Sequence, residues 1–397
     1  MKFINKKLLA ILFLSSTLMA CSSTDEEDEK TKIADLPEIK QQFEPKVVWH
    51  ESVGGVSSYF SRLKPMVAYN TVFSASRDGD VYAYDVLNGK EKWHSDLSDL
   101  EHKRGFFDSK KSAMLSGGVT VGENKVFIGS ENGKLYALDA KNGDLVWQRT
   151  VKGEIIAKPA VDSGMVVVNT VSGLTEAFNS TDGKQEWVIE QEVPPLSLRG
   201  TSAPVIASGG VLIGSASGEL KVFILASGQE GWTAQIGEAS GSTELDRVID
   251  VDSSAVIFGD KIYAIASRGN LSAIDLRSGR IIWKRQFSSY RSIAIDGNNI
   301  FITDVKGHVY SLDRINGLEQ WSQLSLTNRN VTGPVVMGNY VVVGDFEGYL
   351  HWLNKDTGEI VAQHNVDGSG VYATPVVVDG VLYAQSRDGD LEAIKTP

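Results

Sequence analysis

Cysteine is nearly missing from this 397-residue chain, and Cys21 stands alone. No intrachain disulfide can form, and no CxxC redox pair exists. Histidine is also scarce. His50, His94, His102, His308, His351 and His364 are scattered with no His-x-x-x-His pair, so they read as surface or inter-strand residues rather than metal ligands. No ligand loop with calcium spacing stands out, and neither a Walker loop nor a Gly-x-Ser-x-Gly elbow occurs. Positive charge falls short of negative, with 39 Lys and Arg against 50 Asp and Glu, a net charge of -11. Such a surface repels phosphate backbones, which argues against nucleic acid as a partner. Proline is low at 10 residues while glycine is high at 39, a balance that favours short strands and tight turns.

The apolar run from Leu8 to Ala20 follows Lys2, Lys6 and Lys7. It is too short to span a bilayer and reads as a signal peptide over residues 1–20. Its end, Leu18-Met19-Ala20-Cys21, resembles the lipobox of bacterial lipoproteins. That resemblance implies cleavage before Cys21 and lipidation of its thiol. It also implies outer-membrane sorting, because Ser22 and Ser23 replace the aspartate that retains such proteins in the inner membrane. The acids Asp25 to Glu29 repel one another and bury nothing. Residues 21–44 therefore read as a solvated, lipidated tether, and residues 45–397 as the folded domain.

Within that domain one spacing recurs. Gly79, Gly133, Gly173, Gly218, Gly269, Gly307, Gly348 and Gly389 each precede a strand-like segment. Ten residues after the first seven stand Gly89, Gly143, Gly183, Gly228, Gly279, Gly317 and Gly358. Four residues further on come Trp93, Trp147, Trp187, Trp232, Trp283 and Trp321, with Ala362 in the seventh copy. A period of about forty residues signals a propeller or a solenoid. One copy explains the rest: "KVFIGS" is a buried strand, "ENG" a turn, "KLYALD" the next strand, and "AKNG" a second turn whose amides Asp139 can bond. "DLVWQRT" follows, with Trp147 placed to fill the gap between units. Pro65, Pro159, Pro204, Pro334 and Pro375 recur at the start of a further strand, where proline is tolerated.

Four antiparallel strands per copy, repeated radially, predict an all-β, eight-bladed β-propeller. The eighth copy ends at "GDLEAIKTP" without its last strand, whereas "PKVVWHESV" at 45–53 matches "DLVWQRTV" with Trp49 in the tryptophan place. The N-terminal strand is therefore expected to complete the last blade and close the ring, which also removes open sheet edges. The "SRDGD" segments at 76–80 and 386–390 need no more than an Asp-Gly turn.

The set Ala83, Asp85, Gly89, Lys90 and Trp93 resembles the tryptophan-docking motif of pyrroloquinoline-quinone propeller repeats. Those repeats belong to quinoprotein dehydrogenases of the periplasm. The motif joins blades and does not touch the quinone. Such enzymes add a vicinal cysteine pair that a single cysteine cannot supply.

The chain as a whole is similar to the BamB family of lipoproteins. The similarity rests on the lipobox, the acidic stretch, the eight repeats and two segments, "PPLSLRGTSAP" at 194–204 and "LDRVIDVDSS" at 245–254. The resemblance implies a non-catalytic scaffold of the outer-membrane protein assembly machinery without a cofactor, anchored on the periplasmic face. Its implied partners are the periplasmic domains of BamA, other subunits reached through BamA, and unfolded outer-membrane proteins. Leu196, Leu198, Arg199, Asp250 and Asp252 are the positions the resemblance assigns to docking. A quinoprotein-type dehydrogenase and an envelope polysaccharide-binding module are the other readings.

Chain direction alone places these segments together. In an antiparallel four-stranded blade, every blade-to-blade link falls on one face of the disc. Three links are long, roughly 95–116, 188–200 and 234–251, and the last two flank the same blade. Leu196 and Leu198 form either a contact patch or a plug for the channel mouth. Arg199 clamps a partner or pairs with Asp250 or Asp252. Asp250 and Asp252 face one way around Val251 in an extended segment, and either meet a basic surface or cap turns. Phe106 and Phe107, in the first long link, belong to a second contact, a flap or a mobile loop.

Overall fold

Tryptophan at one end of each repeat and glycine in the next dictate how the sheets meet. The computed structural model describes residues 32–55, 63–98, 100, 111–198, 202–238, 243 and 248–397. Among them are 32 strands and no helix. They form eight separate four-stranded antiparallel sheets, an eight-bladed propeller. Blade 3 is typical, with Ala160–Asp162 innermost, then Met165–Asn169, Leu174–Asn179 and Gln185–Glu190 outermost. The middle strands are buried on both faces, so they read as continuous apolar runs.

Seven sheets are contiguous in sequence. In the eighth, Lys46–Ser52 pairs antiparallel with Asp390–Lys395. The ring is thus closed by the N-terminal strand, as the displaced Trp49 predicts.

The seam between blades has one construction. The outer-strand tryptophan lies opposite a smaller residue of its own sheet: Ala83 for Trp93, Ala137 for Trp147, Ala177 for Trp187, Ala273 for Trp283. That leaves the indole free to cross into the next blade. There it lies on the glycine that ends the turn between the third and fourth strands, Asp-x-x-x-Gly at Asp85, Asp139, Asp275 and Asp313, with Asn179, Ile224 and Asn354 in the place of the acid elsewhere. A methyl on Gly183 would stand 2.7 Å from the Trp147 ring, and one on Gly89 would stand 2.9 Å from Trp49. Both glycines also adopt φ +70, where a side chain is strained. At five seams, those of Trp49, Trp93, Trp147, Trp187 and Trp321, the indole N–H then donates to a carbonyl just before that glycine, whereas the buried Trp283 N–H has no partner among the described residues. Trp49 bonds Val86 O at 3.1 Å, Trp93 bonds Ala140 O at 3.1 Å and Trp147 bonds Ser180 O at 3.1 Å. Where the turn begins with Asp or Asn, its side-chain oxygen holds it, as when Asp139 Oδ1 accepts from the Lys141 and Asn142 amides and Asn179 Oδ1 from the Thr181 amide. Each buried indole contributes about 4–6 kcal/mol of area burial as an upper bound.

Blade 7 departs from the pattern for a structural reason. Its neighbour, blade 8, is made from the two chain ends and has no Asp-x-x-x-Gly turn to receive an indole. The large and small residues are exchanged: Trp352 lies on the third strand opposite Ala362. Phe43 packs edge-on against Trp352, with centroids 6.4 Å apart.

Phe43 belongs to a segment expected to be solvated. From Lys32 onward that segment lies on blades 6 and 7. The Ala34 amide donates to Thr327 O, the Gln42 amide to Val361 O, and Gln41 Nε2 to Gln363 O. Arg329, 2% exposed, bonds Asp345 and the Ala34 carbonyl. Only the stretch before Lys32, which includes Cys21 and the acids, lies outside the described residues.

Candidate functional site

Blade 4 runs from Val205 to Gln235. The links on either side of it, 191–204 and 236–255, both belong to the face where innermost strands begin. Chain direction puts the Asp-x-x-x-Gly turns on the opposite face.

The two links meet. The Leu198 amide donates to Asp250 Oδ2 at 2.7 Å, and Ser202 Oγ donates to Ser253 O at 3.3 Å. Pro194 and Pro195 stiffen the first link by fixing φ. Leu196 and Leu198 are 45% and 37% exposed, and neither lines the cavity in the central opening. Leu198 instead roofs a small cavity of about 30 Å³ with Asn169, Ser202, Val251 and Asp252.

Asp250 and Asp252 lie beneath this roof, 1% and 5% exposed. They do not present carboxylates to the surface. Both faces of this extended segment are covered, so the Asp-Val-Asp alternation does not turn the acids outward. Val251 packs against Gly214, and its amide donates to Ser215 O at 3.1 Å. The Ser267 amide donates to Asp250 O at 2.8 Å. Asp250 thus organises the link from inside. Burial, then the neighbouring Asp252 charge, pushes its carboxyl up to about 7, against the Leu198 hydrogen bond, which lowers it. Its Oδ1 is buried with no partner among the described residues, an arrangement that suits a carboxyl holding a proton near neutrality.

Arg199 lies outside the described residues, as do Phe106, Phe107 and Cys21. Trp187 and Trp232 are half-buried, whereas Trp49, Trp93, Trp147, Trp283 and Trp321 are buried. The lining of the central opening went unread in the sequence. The signal for it is the pair Lys64-Pro65 and Lys158-Pro159 at one repeat position.

Comparison with known proteins adds the family. The model for "Outer membrane protein assembly factor BamB" matches residues 77–323 and 324–396. The outer membrane protein assembly factor BamB of Yersinia pestis is 41% identical over 391 residues, covering 98% of this chain and 99% of that protein. The Escherichia coli K12 protein of the same name is also 41% identical, with the same coverage. The crystal structure of BamB from Moraxella catarrhalis superposes with a TM-score of 0.78 at 26% identity, covering 89% of this chain and 100% of that one. The quinohemoprotein alcohol dehydrogenase of Comamonas testosteroni shares the fold, with a TM-score of 0.67 at 14% identity over 88% of this chain and 76% of that one.

Proposed function

The chain belongs to the family of outer membrane protein assembly factor BamB, and on that premise we propose that it is a non-catalytic scaffold that docks onto BamA. The observation that carries the reading is the joined pair of links beside blade 4, with Leu196 and Leu198 exposed above an Asp250 that fixes the backbone at Leu198. A rigid ring that presents an apolar patch on organised loops suits binding rather than turnover. Leu196, Leu198 and Arg199 touch the partner, while Asp250 and Asp252 hold the loops that carry them. Other assembly subunits are reached through BamA, and unfolded outer-membrane proteins are its clients.

Cys21 is lipidated after removal of residues 1–20 and tethers the disc to the periplasmic face of the outer membrane. A single lipidated residue holds a protein weakly, and a protein contact supplies the second attachment. Residues from Lys32 onward lie on blades 6 and 7, so the tether we propose is the acidic stretch that follows Cys21. The tether therefore leaves the disc near those blades, away from blade 4.

Co-purification with the periplasmic domains of BamA tests the reading. Wild-type chain should be retained, and Leu196→Ser with Leu198→Ser should reduce retention at least ten-fold while the melting temperature stays unchanged. Retention equal to wild type would remove the docking assignment. Dye-linked dehydrogenase activity with added quinone and calcium would instead favour the quinoprotein reading.

A further inference from the structure

Strand register places one residue from each of seven blades at the throat of the ring, two positions before the innermost-strand residue that pairs with the third residue of the second strand. Met66 of blade 1 pairs with Phe73, Thr120 of blade 2 with Phe127 and Ala160 of blade 3 with Val167. The throat position is therefore Lys64 in blade 1, Gly118 in blade 2 and Lys158 in blade 3. In other blades it is Ala203, Ser254, Ser292 or Thr374. All seven line one cavity of about 120 Å³. Small residues at most of these positions open the space, and the two lysines project into a ring that could have been closed by any larger apolar side chain.

The charge in this cavity runs against the chain. The protein carries -11 overall, yet Lys64, Lys158 and Arg291 line the throat against one carboxylate, Asp252. Asp252 already faces Asp250 beneath the link. Neither Lys64 nor Lys158 has an ion-pair partner among the described residues, whereas Arg291 bonds Asn330 and lies 4.6 Å over the Tyr290 ring. Burial and the proximity of Lys158 pull the Lys64 ammonium down to about 8, and burial lowers Lys158 as well. Two like charges facing each other in a half-buried cavity destabilise the empty ring, so their presence points to a bound counter-charge. Ser254, Ser292 and Thr374 add hydroxyl donors around the same opening.

We infer that the throat of the central opening is a binding site for one compact dianion, a phosphate or a small dicarboxylate, held by Lys64 and Lys158 with hydroxyl donors from the neighbouring blades. The cavity holds one tetrahedral anion and some water. It faces the side of the disc that carries the links, and Asp252 borders both this cavity and the one beneath Leu198.

Calorimetric titration of the full chain at low ionic strength tests this with inorganic phosphate and malonate as probes. Saturable one-to-one binding of either is expected, and the tighter of the two identifies phosphate or carboxylate as the ligand class. Lys64→Met and Lys158→Met should each weaken binding at least ten-fold, and the double variant should lose it. Lys141→Met with Lys184→Met, in exposed turns, should leave it unchanged. A second measurement needs no variant. Inorganic sulfate keeps its charge across the range, so its affinity should fall several-fold between pH 7 and 9 as Lys64 deprotonates, with Arg291 still charged. Absence of saturable binding of both probes would overturn the inference. So would undiminished binding in the double variant, or sulfate affinity that is flat to pH 9.

Discussion

Replacing Trp49 with alanine probes the seam at which the two chain ends close the ring. Trp49 is 7% exposed, crosses onto Gly89 of blade 1, and donates its indole N–H to Val86 O at 3.1 Å. It also packs against Tyr84 and Tyr383 with centroids 6.3 and 6.0 Å away. Truncating a buried tryptophan costs about 3–5 kcal/mol, and the Val86 carbonyl left behind costs about 1 kcal/mol more. Unfolding entropy near 2.1 cal/mol/K per residue, over roughly 350 residues, converts the resulting loss of about 4–6 kcal/mol into a fall in melting temperature of about 5–8 °C. Circular dichroism melts at constant pH read this directly. Trp147→Ala, at an internal seam of the same construction, should fall by the same amount. A Trp49→Ala protein that melts with wild type while Trp147→Ala drops would refute the claim that closure uses the same lock as every other seam.

Two further outcomes follow from the geometry. Gly183→Ala puts a methyl 2.7 Å from the Trp147 ring at φ +70, whereas Gly164→Ala meets nothing within 4 Å at φ +78. Both carry the left-handed strain of about 1 kcal/mol, so urea titration should show Gly183→Ala losing roughly 1–3 kcal/mol more, and equal losses would contradict seam docking. Asp250 has a folded pKa raised from 3.8 to about 7. The buried protonated form is favoured while the unfolded group ionises, so the stability it contributes is complete below 3.8 and is lost as pH rises to about 7, at most roughly 4 kcal/mol. Asp250→Asn keeps an acceptor for the Leu198 amide, and its stability should decline less than that of wild type between pH 4 and 7; parallel pH curves would remove the buried-acid reading.

Much of the ring was legible because its seams are spelled by residues that have no other reason to recur. A glycine forced to positive φ and a tryptophan fourteen residues after the first glycine of its repeat are a packing instruction written in sequence. Even the break at Ala362 carries information, since the blade it faces has no turn to dock. Trp49, stranded at the other end of the chain, tells how the ring closes. The site was legible only in position. Link length and chain direction bring 191–204 beside 236–255, but Asp250 and Asp252 read equally as surface or interior groups, because alternation distinguishes faces only when one face meets water. The segment from Lys32 to Glu44 looks polar and is docked nonetheless. It is held by backbone hydrogen bonds, Phe43 and the buried Arg329, whose partners Asp345 and Ala34 lie 16 and 295 residues away. Such long-range pairing leaves no local trace. The throat lysines stand beside the recurring Pro65 and Pro159, but only the closed ring brings the two positions to one cavity.

Hydrogen–deuterium exchange on the full chain with and without the periplasmic domains of BamA tests the central claim most directly. Protection should appear at 192–198 and 248–254, on the face that carries the links, while the Asp-x-x-x-Gly turns of the opposite face exchange as before. Protection confined to those turns or to the outermost strands, with both links unchanged, would contradict the account.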